Sequence, residues 1–297
     1  NGATAQARDG DLELRSAQAN TGDAAAATTL QAGYVGFGST SASASGNVIA
    51  AAGENSEIRA ISTQTTSGAV TAASEADYDV ADVGASAAIA SANNVTISGD
   101  TATVLTDTNQ RASGAGVSAR SDVYVGYAND AASNATANAN AVTIDNQWGY
   151  VNARADQQSS ANVQAESYVT LGGDFTGFAS AGAYGVGNSF SASNVGSDTD
   201  LDVTQANSGD ISANAAMIGQ GGDMAVASAA AYGNSMSASL CGYCDTNMPE
   251  MRAANSQTND GAVNSSARVV APSARVVGAS ATAIGNAATF QTTGPTN

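Results

Sequence analysis

The feature that most constrains this chain is a repeat of about 46 residues, marked by widely spaced glutamines. These glutamines are Gln18, Gln64, Gln110, Gln157, Gln205 and Gln257. Successive members are 46, 46, 47, 48 and 52 residues apart. Self-similarity at a period of this size is typical of solenoids and other arrays, in which each repeat packs mainly on its neighbours. The spacing therefore predicts an elongated repeat protein.

Asparagines mark the same period independently. An asparagine lies 17 residues before each of the first five glutamines, at Asn1, Asn47, Asn93, Asn140 and Asn188. In the sixth unit Asn234 lies 23 residues before its glutamine, so about six residues are inserted there. A seventh, truncated unit begins at Asn286. We therefore expect residues 1–297 to form a single repeat domain, with units starting near 1, 47, 93, 140, 188, 234 and 286.

The residues around each marker alternate between apolar and polar. Counting back in twos from Gln64 reaches Ala60 and Ile58, and Arg59 lies between them. This period of two indicates strands whose marker amides point inward. A buried amide without a partner costs about 1–3 kcal/mol. The thirteen marker Asn and Gln residues are therefore predicted to be structural, with each amide hydrogen-bonded to its equivalent in the next coil.

The alternation also predicts the fold class. Each unit contains four alternating stretches separated by Gly, Asn, Asp and Ser, which favours an all-β chain over a helical one. Large apolar side chains are scarce, so any interior must be thin. Because coils of β-solenoids usually take roughly 20 to 30 residues, we expect a β-solenoid (β-helix) with two coils in each unit. About 13 coils at a spacing of ~4.8 Å would form a rod of about 60 Å.

Composition excludes several classes of function. The net charge is −17, and the sequence has no Lys and no His. Nucleic acid is therefore not an expected partner, because phosphate binding needs a basic face. Catalytic triads with His and phosphate loops of the GxxxxGK type cannot exist here. We therefore expect that the protein is not an enzyme and has no catalytic residues. The weighed alternative is a polysaccharide-degrading β-helix enzyme, whose long catalytic loops have no counterpart in a single short insertion.

The chain is expected to be exported. It has no run of about 20 apolar residues that could span a bilayer. It begins at Asn1, without an initiator Met or an apolar leader, as a chain does after signal-peptide removal. The sequence therefore predicts a secreted or cell-surface location.

The inserted segment of the sixth unit contains the only two cysteines, Cys241 and Cys244, in CGYC. Zinc binding is disfavoured because a structural zinc site needs four ligands. A local disulfide in an oxidising compartment is the favoured interpretation, and a redox CxxC is the alternative.

Two further polar features have weak functional interpretations. Asp198, Asp200 and Asp202 resemble part of a calcium loop, but alternation places two of them on an outward face, which favours a solvated charge row over a Ca²⁺ site. We expect no cofactor, with Ca²⁺ as the only candidate. Tyr34, Tyr78 and Tyr124 follow their glutamines at similar distances and predict a loose exposed row.

With inward Gln and Asn, glycine turns and small interior residues, the chain resembles curlin-type surface-fibre subunits. The resemblance spans nearly the whole chain, although Gly follows Gln by four residues here and the period is doubled. The Ala/Asn/Gly-rich repeats and the segment GASATAIGNAATF are also similar to the holdfast anchor protein D type of alphaproteobacteria. That resemblance implies an outer-membrane-tethered fibre that fastens an adhesive polysaccharide to the cell.

These observations predict a structural subunit that assembles head to tail into a homopolymer for adhesion, anchoring or biofilm matrix. Solenoid ends expose strand edges, which favour such non-closing contacts. The expected further partners are an outer-membrane anchor protein or a polysaccharide. The alternative is a monomeric adhesin or polysaccharide-binding stalk, in which the repeats are only a spacer.

Overall fold

The computed structural model of this protein describes residues 1–242 and 249–294. Every regular element in these residues is a β-strand, which confirms the all-β prediction. The strands are β1 (Gly2–Arg8), β2 (Leu12–Asn20), β3 (Ala24–Glu54), β4 (Glu57–Thr66), β5 (Val70–Asp100), β6 (Thr103–Ala112), β7 (Val117–Gln147), β8 (Val151–Ser159), β9 (Val163–Leu171), β10 (Phe178–Val195), β11 (Thr199–Asn207), β12 (Ile211–Ile218), β13 (Met224–Cys241), β14 (Met251–Asn259), β15 (Val263–Val270) and β16 (Val276–Thr293).

Each strand pairs in parallel with the equivalent strand one unit further along. Gln18 pairs with Gln64, and Gln64 pairs with Gln110. The offset between partners is 46 to 48 residues, and it rises to 52 for pairs that span the inserted segment. Parallel stacking at a constant register is the arrangement expected of a β-solenoid.

The expectation of two coils in each unit is wrong. Because a residue pairs with its equivalent one whole unit away, one coil takes about 46 residues. Six and a half units therefore make about six and a half coils, with a length of about 30 Å at ~4.8 Å per strand. The two alternating stretches on either side of each marker asparagine are one continuous strand, as in β3, and no turn divides them.

Each coil is flat and has two layers. One layer is the second half of a long strand, such as residues 38–54 of β3. The other layer consists of β4 followed by residues 70–78 at the start of β5. Ser86 Oγ donates to the carbonyl of Ser74 across the layers, at 3.0 Å. Nearer the middle, Asn47 Nδ2 donates to the carbonyl of Thr65 at 2.8 Å. Inward side chains of the two layers thus meet in a thin interior.

The interior contains two apolar clusters on either side of the marker amides. The cluster beside the bend at residues 79–83 is mostly Ala and Val, with Tyr78 and Met217 among its largest members. The cluster at the opposite edge includes Ile49, Ile97 and Phe190. Alternation places these side chains inward in every coil, so burial of apolar area stabilises the whole stack.

The coil edges differ in how the chain reverses. In the first coils β3, β5 and β7 run through the bend without interruption, whereas a loop at 172–177 separates β9 from β10. At the opposite edge the turns place Asp9, Asn55, Thr101 and Trp148 in the left-handed region, with φ between +49° and +58°. Within the described residues, we find no helix with the length and apolarity needed to cross a membrane.

Candidate functional site

The marker asparagines form an axial ladder inside the solenoid. In each link, the Nδ2 of one asparagine donates to the Oδ1 of the asparagine in the next coil, over 2.7–2.9 Å. The ladder members are Asn1, Asn47, Asn93, Asn140, Asn188, Asn234 and Asn286. The second hydrogen on Nδ2 binds a backbone carbonyl of the opposite layer, as in the bond from Asn93 to Arg111 at 3.0 Å. Each asparagine therefore ties together two coils and two layers.

The marker glutamines form a second ladder that runs in the opposite direction. Here the Nε2 of each glutamine donates to the Oε1 of the glutamine in the preceding coil, over 2.7–3.0 Å. The ladder members are Gln18, Gln64, Gln110, Gln157, Gln205 and Gln257. The second hydrogen on each Nε2 again binds the opposite layer, for example from Gln110 to the carbonyl of Ala141 at 2.9 Å.

Because the two ladders have opposite polarity, their amide dipoles oppose each other along the axis. Chains of buried hydrogen bonds strengthen one another in a medium of low dielectric. From the second to the fifth coil the amides are shielded from water, and Gln64, Asn93 and Asn140 are fully buried. The arrangement holds successive coils together and provides no nucleophile, acid or base.

The asparagine ladder sits at a narrow waist between the two apolar clusters. The residue before each asparagine also faces inward, and the six residues at this place are Gly46, Ala92, Ala139, Gly187, Gly233 and Gly285. A methyl group on Gly187 would lie 2.5 Å from the carbonyl oxygen of Gly233 in the next coil and 2.6 Å from Asn207 Oδ1 in the opposite layer. One on Gly46 would likewise lie 2.9 Å from Thr66 Oγ1 in the opposite layer.

The size of the facing residue in the opposite layer explains why glycine occupies some of these positions and alanine occupies others. By register, Ala92 and Ala139 lie opposite Ala112 and Ser159, which are smaller. Glycine thus occurs where the opposite side chain is large.

A chain of buried hydroxyl groups runs through the alanine-rich cluster, and our sequence reasoning missed it. Successive Oγ atoms lie 2.9 Å apart from Ser74 to Ser167, and Thr40 adjoins the first serine. Its members are Thr40, Ser74, Ser86, Ser121, Ser133 and Ser167. A signal was present: Thr40, Ser86 and Ser133 each lie seven residues before a marker asparagine. Because Ser and Ala are similar in size, the sequence pattern did not distinguish these serines from the small residues that fill the interior.

The acidic row resembling a calcium loop lies mainly on an outward face. Asp200 accepts a hydrogen bond from the Tyr150 hydroxyl at 2.5 Å, and this bond raises the pKa of Tyr150. Asp202 lies 4.0 Å from the Arg154 guanidinium. Across residues 1–242 and 249–294, no group of three acidic or cysteine side chains is placed to hold a metal ion.

The predicted tyrosine row is wrong in one member. Tyr34 and Tyr124 are exposed, at 67% and 50%, whereas Tyr78 is fully buried. The register pairs Tyr78 with Ala32, and not with Tyr34, so its ring enters the alanine-rich cluster. The Tyr78 hydroxyl has no hydrogen-bond partner there, and burial raises its pKa.

The predicted disulfide would join one cysteine inside the described residues to one outside them. Cys241 ends β13 and is partly exposed, while Cys244 lies outside the described residues. The disulfide therefore stays a prediction.

Comparison with known families identifies a related family. A family profile described as holdfast attachment protein D matches residues 1–210, about two thirds of the chain. No curated protein and no solved structure matches the chain. The matched segment contains the first four units and the start of the fifth, and thus most of both amide ladders.

Proposed function

This chain belongs to the holdfast attachment protein D family, and from that premise we propose that it is a structural subunit of a holdfast fibre at the cell surface. A family of attachment proteins acts in adhesion at the cell surface and is not a known class of enzyme. In this proposal residues 1–297 act as one repeat domain. Copies stack end to end, and the marker amides transmit load from coil to coil.

The observation that supports stacking is the complementarity of the ladder ends. In the last coil Asn286 Nδ2 has an amide hydrogen without a ladder acceptor, and Gln257 Oε1 has no ladder donor. In the first coil Asn1 Oδ1 lacks a ladder donor, and one hydrogen of Gln18 Nε2 lacks a ladder acceptor. A second copy placed on the last coil in the same register continues both ladders with correct donor and acceptor polarity. Further repeats in a longer chain would meet the same requirement.

Stacking also pairs backbone groups of the end coils. In this chain β1, β2, β14, β15 and β16 each pair with one other strand. Edge strands of this kind are templates for addition of another strand. Because each copy has a net charge of −17, like charge opposes association, and added salt should promote filament growth by screening it.

Negative-stain electron microscopy of the purified chain tests this proposal. We expect filaments with an axial repeat of about 30 Å, the length of six coils at ~4.8 Å. The substitution Asn286→Leu should shorten or abolish them, because it removes the ladder donor of the last coil. Gln291→Leu, on an exposed site of the same strand, is the matched control and should leave them intact.

Separate short rods at every concentration and salt level would contradict end-to-end assembly. In that case the repeats would act as a spacer that binds an outer-membrane anchor protein or a polysaccharide. Assembly in our proposal needs no cofactor, so a chelator such as EDTA should change neither filament length nor stability. Loss of filaments in EDTA would instead point to Ca²⁺ as a component of the fibre.

A further inference from the structure

One broad face of the solenoid is almost free of charge. This uncharged face consists of the outward side chains of residues 39–52 of β3 and their equivalents in β5, β7, β10, β13 and β16. Each of the six coils contributes seven side chains, and Asp145 is the one charged residue among these 42. Charged residues are 12% of the chain, so about five would be expected here.

The centre of the uncharged face has the composition of a protein interface. Tyr184 and Tyr232 form a ring pair there, with centroids 5.7 Å apart. Val186 follows Tyr184 by two residues, pairs with Tyr232 in the register, and is fully buried although it is on the outward side. Ile89, two coils earlier, is 46% exposed. Aromatic anchors at the centre and charge depletion around them are what distinguish interfaces from the rest of a protein surface.

Two polar groups in the coils before these rings are buried without a partner. Ser91 is 5% exposed and its Oγ has no hydrogen bond, and the Oδ1 of Asn138 is likewise unpaired. Both lie in the axial column that contains Val186 and Tyr232. Each of these unpaired buried groups costs about 1–3 kcal/mol, a cost that is removed when the side chain rotates to meet a partner packed on the face.

From this face we infer that two copies of the chain pair side by side, with the uncharged face of one packed against the uncharged face of the other. Fourteen residues at about 3.3 Å by six strands at about 4.8 Å give a face of about 1,300 Å². This exceeds the ~800 Å² per partner of a standard stable interface. Ala loses no side-chain entropy on packing, and small side chains let two β-faces approach closely.

The distribution of charge favours the uncharged face over the other lateral faces as the surface through which two copies pair. The whole chain has 26 acidic residues against 9 arginines, and 25 of the acidic residues lie outside the uncharged face. Side-by-side pairing through the other lateral faces would bring more like charges together, which opposes association. Side-by-side pairing uses different surfaces from end-to-end stacking, so it can occur whether or not the ends stack.

Sedimentation equilibrium together with small-angle X-ray scattering of the full chain tests the pairing. We expect a species of twice 28.9 kDa that is thicker than the monomer and equally long. Asn134→Glu places a charge at an exposed site within the uncharged face and should raise the dissociation constant at least ten-fold, which is about 1.4 kcal/mol. Asn152→Glu, an exposed asparagine on the outer side of β8, is the matched control and should have less than a two-fold effect.

Several results would overturn the inference. The chain could remain monomeric at all concentrations, or form dimers twice as long and no thicker, which would support stacking alone. Equal weakening by Asn134→Glu and Asn152→Glu would show that net charge, and not this face, decides association. If the wild-type chain were monomeric, and Asn134→Glu but not Asn152→Glu abolished cell attachment, the uncharged face would bind a different partner. Circular dichroism of both variants verifies that each retains its β-structure.

Discussion

Gln110 in the middle of the glutamine ladder offers the sharpest test of the amide network. It is fully buried, donates to Gln64 Oε1 at 2.9 Å and accepts from Gln157 Nε2 at 2.8 Å. The substitution Gln110→Leu replaces the amide with an apolar side chain of similar size. It leaves one acceptor on Gln64 and one donor on Gln157 unpaired, and it removes the hydrogen bond to the carbonyl of Ala141. At about 1–3 kcal/mol for each buried unpaired group, we expect a loss of about 4 kcal/mol of unfolding free energy.

The double variant Gln64→Leu/Gln110→Leu distinguishes a connected ladder from independent bonds. It also leaves two ladder amides without a partner, now on Gln18 and Gln157, so the number of unpaired amides does not double. The double variant also loses the bonds to the carbonyls of Asn94 and Ala141, where the single variant loses only the latter. We therefore expect a loss slightly above that of the single variant, about 5 kcal/mol, and not the sum of about 8 kcal/mol. Such non-additivity is expected for residues in one hydrogen-bond network.

Urea unfolding followed by far-ultraviolet circular dichroism measures both losses. With an m-value of about 3 kcal/mol/M, a loss of 4 kcal/mol lowers the midpoint by about 1.3 M. Gln158→Leu, at the exposed position that follows Gln157 in the next coil, is the control and should change stability by less than about 0.5 kcal/mol. Our reasoning is refuted if Gln110→Leu is as mild as this control, or if the two ladder substitutions add.

Three further predictions concern the waist, the buried tyrosine and alkaline pH. Gly187→Ala should cost about 2 kcal/mol in urea unfolding because its methyl group would lie 2.5 Å from the backbone carbonyl oxygen of Gly233 and 2.6 Å from Asn207 Oδ1. Asn207→Ser should relieve only the second of these contacts, and Gly22→Ala, with open space around it, should be nearly neutral. Tyr78→Phe removes an unpaired hydroxyl and should raise the midpoint slightly, and a clear loss of stability would reveal a hidden partner. Burial raises the pKa of Tyr184 above its ordinary value of 10.0. The folding stability that the buried, neutral Tyr184 contributes is therefore fully present below pH 10 and is lost as the pH rises through its folded-state pKa. Tyr184→Phe should accordingly reduce the fall in melting temperature at alkaline pH, measured in a series of buffers of increasing pH.

The repeat period and the inward direction of the amides could be predicted from sequence because both are local properties. Alternation with a period of two places Ile58, Ala60 and Gln64 on one side of a strand regardless of what the strand packs against. The markers repeat in one phase because stacked coils need equivalent residues in register. The spacing of the markers also reveals the insertion in the sixth unit, but Cys241 itself belongs to the repeat, because it ends β13 in register with Val195.

The number of residues in a coil could not be predicted, because it depends on how distant segments pair. The four alternating stretches of a unit suit two small coils or one flat coil equally well. The choice follows from continuity of the long strand through Gly46 and Asn47, where two successive side chains face inward and the chain needs no turn.

Other features arise only when the layers meet. The match of Gly187 with Asn207, the burial of Tyr78 and the hydroxyl chain from Ser74 to Ser167 all join residues of different strands. The uncharged face likewise emerges only when six separate segments are stacked at a register of 46 to 52 residues. Local chemistry determined which side chains point inward, and the nonlocal pairing of strands decided what they meet there.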